Sequence, residues 1–444
     1  MKYLSEPAKI LPVFGKFDVV VAGGGPSGVA AAISAARNGA SVLLLEQTGA
    51  LGGMGTNGLV PSFCPFSHFD EPAIKGIGFE IWQKLVTLGG SDNKLWPYID
   101  PEKLKFLLDD LVIKSGASIL FFTLVSGVIK KGKKIQAIII ENKNGRQAVI
   151  AKTFVDATGD GDVAFKAGIP FEKGDKQGKM QGVSLEFLVA GIEPKAYKRW
   201  LKKYPNNDSK NIFLRKTEAA GKLKKFKDAE HRISGDVFHT DNVRGYNYGH
   251  IFGIDGTDTR DLTKAMLRGR QLAKAFMDFA RKHIPGMQNA VLAATGTLPG
   301  IRETRRFKGA YKLTLDDFVT MRQFKDQIGV YDYPVDVHHT SKSEKDARAT
   351  LAIMDKYTLS RGKTYGIPFS SMLPIGVPNL LLTGRHISVD RMMHGSTRVM
   401  PACMAIGEAA GLAAAMATKK KIDVTKINTD ELRKRLAKQG AKVS

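Results

Sequence analysis

The chain has 444 residues, 43% of them hydrophobic, with 67 Lys and Arg against 43 Asp and Glu, for a formal net charge of +24. That length and apolar content support two or three folded domains and exclude low-complexity disorder. Two distant cysteines, Cys64 and Cys403, exclude a disulfide scaffold and a Cys-rich metal site.

The cysteine usage fits a reducing compartment. With no signal-like segment and no apolar run of about 18 residues, the reading is a cytoplasmic protein with no membrane span. The positive charge is compatible with nucleic acid, an acidic substrate or a lysine-rich solvated surface, and does not choose among them.

The first predicted element is an apolar strand from Phe17 to Ala22. Gly23-Gly24-Gly25-Pro26-Ser27-Gly28 follows, then an Ala-rich helix stopped by Gly39, then a second apolar strand from Ser41 to Glu46. Two continuous apolar runs around one helix read as a βαβ unit with a parallel sheet. Gly23 permits the tight turn, Gly25 leaves room for a pyrophosphate and Gly28 lets helix and strand approach. The helix N-terminus at Pro26 and Ser27 offers N–H groups to an anion. Glu46 can accept from both hydroxyls of an adenosine ribose and would repel a 2′-phosphate.

A second glycine cluster between Gly49 and Gly58, with Gly53, Met54 and Gly55 at its centre, suits a loop beside the pyrophosphate and ribityl chain of FAD. An NAD site needs no such loop. A helix is predicted over Pro101–Ser115 with Asp100 as its cap. Strands follow at Ile119–Phe122, Leu124–Lys130 (which includes Val125), Lys134–Glu141 and Gln147–Val155, with hairpin turns at Gly132 and Gly145. The last strand ends in Thr158-Gly159-Asp160-Gly161-Asp162.

Charged helices and a mixed α+β pattern then replace the parallel-strand signature until Asn379–Arg385, where it returns ahead of a long Ala/Gly/Met helix from Pro401. The predicted fold class is therefore α/β: a Rossmann-like FAD-binding domain of residues 1–167 and 372–418, with an inserted α+β substrate domain at 168–371. Residues 419–444 are expected to form a basic, exposed C-terminal helix or tail.

The pattern resembles the two-dinucleotide-binding-motif flavoproteins. Within them it is similar to the broad FAD-dependent oxidoreductase family related to the fumarate reductase, succinate dehydrogenase and glucose-inhibited-division flavoproteins. Four blocks carry the likeness: the opening unit with Glu46 and Gly52-Gly53; the Ala157–Asp162 turn; Gly300–Arg306; and Leu382–Ser388 continuing through Arg398-Val399-Met400-Pro401 to Gly411. The resemblance implies non-covalent FAD held by Gly23, Gly25, Pro26, Ser27, Gly28, Glu46, Gly53, Met54, Gly55, Val125, Thr158, Gly159, Asp162, Gly384, Arg385, Arg398 and Met400. Many relatives carry Gly-Asp where this chain has Gly384-Arg385, and that Asp binds the ribityl chain.

For chemistry the polar block around Arg398 matters most. A helix N-terminus at Pro401 and the Arg398 guanidinium would raise the reduction potential of a flavin beside them; pairing with an acid such as Glu408 is the alternative for Arg398. His394, followed by Gly395 and so expected on an exposed turn, is the first candidate for acid/base work, with His386 behind it. Arg302 and Arg305, with Arg306, form a guanidinium cluster that would hold an anionic substrate or, alternatively, buttress two domains. His338 and His339 read as structural or surface residues, because neighbours on a strand point oppositely and no carboxylate spacing completes a metal site.

The leading expectation is an oxidoreductase, dehydrogenase or oxidase, moving a hydride between a small organic substrate, anionic or polyhydroxylated, and flavin N5. No second nucleotide fingerprint is present, so the electron acceptor is external. The alternatives are an RNA-associated flavoprotein of the tRNA-modification type, disfavoured by the lack of aromatic residues interleaved with the lysines, and a fumarate-reductase-like reductase. The substrate and the oligomeric state are not readable from the chain.

Overall fold

The computed structural model describes Leu4 and residues 9–69 and 71–444. The chain opens with β1 (Val13–Ala22), α1 (Pro26–Arg37) and β2 (Val42–Leu45), the expected βαβ unit. Val19, Val20 and Val21 are fully enclosed, as a central parallel strand covered on both faces requires. Helices α2 (Ile77–Thr87) and α3 (Pro101–Ser115) follow. Asp100 caps α3 by accepting from the N–H groups of Glu102 and Lys103.

Strands β3 (Ser118–Leu120), β4 (Leu124–Lys131), β5 (Lys134–Asn142) and β6 (Gly145–Asp156) complete most of the main sheet. Its order is β3-β2-β1-β6-β5-β4. Parallel pairing joins β3, β2, β1 and β6, whereas β5 runs antiparallel to both β6 and β4. The long β6 forks: its first half pairs with β5, and Phe154–Asp156 pair in parallel with β15 (Leu380–Leu382). Asn379 fills the fork, accepting from Ile135 N–H at 3.0 Å and donating to its carbonyl at 2.8 Å.

After α4 (Asp162–Lys166) and β7 (Phe171–Lys173), a second unit is built from β8 (Phe187–Ala190), α5 (Pro194–Lys203), α6 (Asn207–Ala219), β9 (Ala229–Phe238), β10 (Arg244–Ile251), α7 (Thr259–His283) and β11 (Val291–Thr295). Its antiparallel sheet has the order β11-β8-β10-β9. It has its own apolar core, drawn from residues between Val183 and Ile301, with Phe187, Tyr246, Tyr248 and Phe276 in edge and tilted ring contacts at the centre. The elements after it, β12 (Arg305–Phe307), α8 (Leu315–Val319), β13 (Gln327–Tyr331), α9 (Glu344–Lys356) and β14 (Tyr365–Pro368), return toward the first unit, and Phe307, Phe318, Tyr331 and Tyr365 belong to its core. The separate core is thus narrower than the whole 168–371 segment.

The chain closes with α10 (Arg391–Thr397), α11 (Met400–Lys420) and α12 (Thr429–Lys438). Helix α11 packs backbone to backbone on α1: a Cβ added at Gly407 would lie 2.0 Å from the Ser27 carbonyl oxygen, and one at Gly411 2.1 Å from that of Ala31. Only glycine permits that approach. Helix α11 is long and apolar enough to cross a membrane, but 89% of its apolar window is buried inside the protein. The C-terminal tail is not an exposed appendage. Leu432 and Leu436 of α12 are buried, and the Val443 carbonyl accepts from Gln327 Nε2 at 2.7 Å, because the basic sequence conceals an apolar i, i+4 stripe.

Candidate functional site

A cleft of about 1280 Å³, including its open mouth, runs along the carboxyl ends of β1, β2 and β6. This is where an open parallel sheet places its ligands. Its wall contains Gly23, Gly25, Pro26 and Ser27 from the first turn, Glu46 after β2, Gly53 and Met54 from the second glycine loop, and Val125 from β4. Thr158, Gly159, Asp160 and Asp162 line it after β6, and Gly384, Arg385, Arg398, Met400 and Cys403 from the C-terminal segment. Gly256, Leu262, Leu298, Pro299 and Ile301 of the second unit cover the opposite side.

The first turn has the form a phosphate site needs. Gly23 takes a left-handed φ of 101°, and a Cβ on Gly28 would fall 1.8 Å from the Gly23 carbonyl oxygen, so Gly28 serves helix-strand contact instead of lining the cleft. A Cβ on Gly25, by contrast, would meet nothing within 4 Å, leaving the backbone open toward the cleft. No side chain caps α1, so its first-turn N–H groups are available to a ligand. Gly55 also lies behind the wall, packed against Met400 and Leu104.

Glu46 Oε2 accepts from Gly24 N–H at 2.7 Å, and Oε1 accepts from Thr48 N–H and Oγ1 at 2.8 Å. These bonds fix the carboxylate at the cleft wall, and its remaining lone pairs stay available for ribose hydroxyls. At the other end Arg385 Nη2 donates to Asp160 Oδ1 at 2.6 Å, and Arg305 Nη1 donates to Asp162 Oδ1 at 3.1 Å. Burial, with Asp160 and Asp156 nearby, pushes Asp162 up to about 6. The Nε atoms of Arg385 and Arg398 are buried donors without a protein partner, and both residues line the cleft. An anionic dinucleotide fits this donor set.

The family model for FAD dependent oxidoreductases matches residues 18–436. The chain belongs to that family. Over 55 residues this oxidoreductase is 49% identical to a dihydrolipoyl dehydrogenase of Trypanosoma brucei brucei, a match covering 12% of each chain. Over 156 residues it is 33% identical to a thiamine thiazole synthase of Methanococcus aeolicus, covering 33% of this chain and 57% of that protein. The matches thus span only part of the length of both curated relatives. Among solved structures, a geranylgeranyl bacteriochlorophyll reductase-like protein from Thermoplasma acidophilum aligns over 96% of this chain and 83% of its own at 14% identity and a TM-score of 0.43. A p-nitrophenol 4-monooxygenase from Pseudomonas putida aligns over 96% and 85% at 11% identity and a TM-score of 0.46. The protein is an FAD-dependent enzyme.

The polar residues expected to do chemistry are placed differently from one another. Arg398 reaches the cleft wall, and its acid partner is Asp336, met at 3.0 Å, while Glu408 instead accepts from Ile77 N–H at the start of α2. His394 is not on an exposed turn. It lies within α10 with its ring fully enclosed and both nitrogens unpartnered, and Gly395 is there because a Cβ would meet the Asp336 carbonyl oxygen at 2.9 Å. Burial and then the nearby guanidiniums of Arg398, Arg306, Arg385 and Arg391 hold the ring neutral. His386 is likewise buried, beside Phe307.

The guanidinium cluster is mostly engaged in structural ties. Arg305 stacks over Phe165 at 4.1 Å while holding Asp162, and Arg306 binds Glu303 and the Gly174 carbonyl. Arg302 donates to the Gly182 carbonyl and to Ser184 Oγ, and burial together with Arg398 pulls it down to about 10. Arg302, Arg305, His386 and His394 are all absent from the cleft lining among the described residues. Both cysteine thiols are pushed up to about 12 by burial, so neither is a ready thiolate.

His338 and His339 are not the isolated pair the sequence suggested. His250 bridges them, its Nε2 3.0 Å from His338 Nδ1 and its Nδ1 3.3 Å from His339 Nε2. Glu230, from β9, supplies the carboxylate that local spacing lacks. Asp336 Oδ1 lies 3.2 Å from His338 Nε2 and continues the network to Arg398.

Proposed function

We propose that this oxidoreductase moves a hydride between a small organic substrate, anionic or polyhydroxylated, and non-covalently bound FAD, with an external electron acceptor. The observation that carries the reading is the composition of the cleft: the α1 N-terminus, Glu46 and the C-terminal residues Gly384, Arg385, Arg398 and Met400 on the sheet side, and five mainly apolar residues from the second unit. Bound FAD supplies the hydride acceptor or donor. Gly25, Pro26 and Ser27 would hold its diphosphate at the α1 N-terminus, Glu46 its adenosine ribose, and Gly53 and Met54 its pyrophosphate and ribityl chain, with Val125 on the same wall.

Asp160 and Asp162, fixed by Arg385 and Arg305, would take over the hydroxyl-binding role that an Asp after Gly384 has in many relatives. Arg398 and the uncapped N-terminus of α11 would provide positive potential to a flavin ring bound beside them, favouring its reduction. His394, neutral and enclosed beside this block, is the proposed proton carrier. Two unpartnered nitrogens in a fully buried ring are costly unless function or water uses them.

An anaerobic screen of hydroxy acids, polyols, amines and glycosides, followed by bleaching of the flavin absorbance, tests this. Bleaching by one class identifies the substrate. If none bleaches while the chemically reduced protein is reoxidised by an unsaturated acid, the reductase direction replaces this reading.

A further inference from the structure

We propose that Glu230 and His250 of the second unit, with His339 of the segment after β13, form a binding site for one divalent first-row transition-metal ion, of the zinc or ferrous type. Glu230 Oε1, His250 Nδ1 and His339 Nε2 converge on one point, separated by 3.0, 3.3 and 2.8 Å. They are the one group of this kind among the described residues. Ligand atoms about 2.1 Å from a tetrahedral ion stand about 3.4 Å apart, so a small outward adjustment of the three side chains admits the ion.

The accounting of protons favours a cation at that point. Asp336 can only accept, so His338 Nε2–H donates to it, and His338 Nδ1 must then accept from His250 Nε2–H. His338 and His250 have now each used their one N–H, and a His339 Nε2–H would donate to Glu230 at 2.8 Å, reaching His250 Nδ1 only at 3.3 Å. His250 Nδ1 therefore presents a lone pair to the Glu230 carboxylate 3.0 Å away, and the two repel unless a positive charge lies between them. A metal ion fills that role for His250, His339 and Glu230 together.

The arrangement has the outer partners of a built metal site. The His250 ligand donates its far N–H to His338, which is itself oriented by Asp336, as metal-bound histidines ordinarily are. Two imidazoles and one carboxylate without thiolate suit zinc or ferrous ion, and the nitrogen ligands select against magnesium and calcium. Glu230 keeps 20% of its side-chain surface exposed, which gives an ion and its remaining water or substrate ligands a route in.

The test uses untagged, FAD-loaded full-length protein stripped by a chelator and titrated with Zn²⁺ by calorimetry and with Co²⁺ by its ligand-field absorption. The expected result is one ion per chain, with Glu230→Gln and His339→Ala each weakening binding at least 100-fold while FAD content stays unchanged. His338→Ala is expected to weaken it about tenfold to 100-fold. Absence of stoichiometric binding to the wild-type protein overturns the proposal. So does stoichiometric binding that the two ligand variants retain. Should a variant fail to fold, the cobalt spectrum of the wild-type protein decides: nitrogen and oxygen ligation supports the site, and a spectrum of the hydrated ion excludes it. The readout is independent of the hydride-transfer reading.

Discussion

Arg398 Nη2 sits 2.9 Å from the Asp336 carbonyl oxygen and 3.0 Å from its Oδ2, so one guanidinium ties the cleft wall to the segment that leads into the histidine cluster. Against the cost of burial, His338, Arg398 and Arg302 hold the Asp336 carboxyl far below the usual carboxylate range. Removing either partner leaves the other charge poorly solvated.

Arg398→Met is therefore expected to lower both stability and the flavin reduction potential. The stability loss is on the order of 3 kcal/mol, as for other broken buried pairs. Adding Asp336→Asn should recover much of the stability without restoring the potential. Thermal unfolding and a redox titration against reference dyes separate the two; a potential that recovers with stability would refute the role of Arg398 in tuning the flavin.

Gly25→Ala and Gly28→Ala are expected to diverge. Gly25 has φ −70° and open space where a Cβ would go, so the substituted apoprotein should melt within a few degrees of wild type yet retain little FAD. Gly28→Ala drives a methyl to 1.8 Å from a carbonyl oxygen and should destabilise the fold itself, by about 3 kcal/mol or more. Flavin released on denaturation, together with apoprotein melting, checks both.

His394→Ala is expected to lower kcat by about 10² or more, the usual worth of a positioned proton carrier. Stability should change far less than for a partnered buried histidine, because both ring nitrogens lack protein partners. Turnover within twofold of wild type would remove His394 from the chemistry.

The Glu408 carboxyl is pushed up to about 7 by burial, with the Ile77 N–H bond opposing. Its folded value lies above the ordinary one of 4.5, so the folded state holds the proton longer than the unfolded state does. Its contribution to stability consequently falls as pH rises from about 4.5 to 7 and stays at its lowest above that. Glu408→Gln keeps an acceptor for Ile77 N–H and removes the penalty. The variant should gain on the order of 2 kcal/mol at pH 8 and little at pH 4, measured by denaturant unfolding at both values.

The βαβ unit, the hairpins and the return of the C-terminal segment to the first sheet were legible because each is written in local periodicity and in glycines with a defined task. The cleft residues of the two N-terminal glycine turns and Glu46 were legible for the same reason, whereas Val125, Gly384, Arg385, Arg398 and Met400 came only with the family resemblance. His394 was misread because a glycine after it signals a turn in sequence, whereas here the glycine admits the Asp336 backbone. The histidine cluster was invisible for another reason: His339 lies 109 residues from Glu230 and 89 from His250, and no local pattern encodes that meeting. The docking of α12 was obscured by lysines around its two buried leucines.

The interlock of Gly407 and Gly411 with Ser27 and Ala31 imposes an order of assembly. While the chain is being synthesised, α1 and its phosphate turn emerge long before the helix that must lie against them. Any chain halted before α11 has an exposed α1 flank and half a cradle. For the proposed cofactor site, capture is expected late, and the second unit, whose core runs from Val183 to Ile301, can organise while the first still waits for its other half.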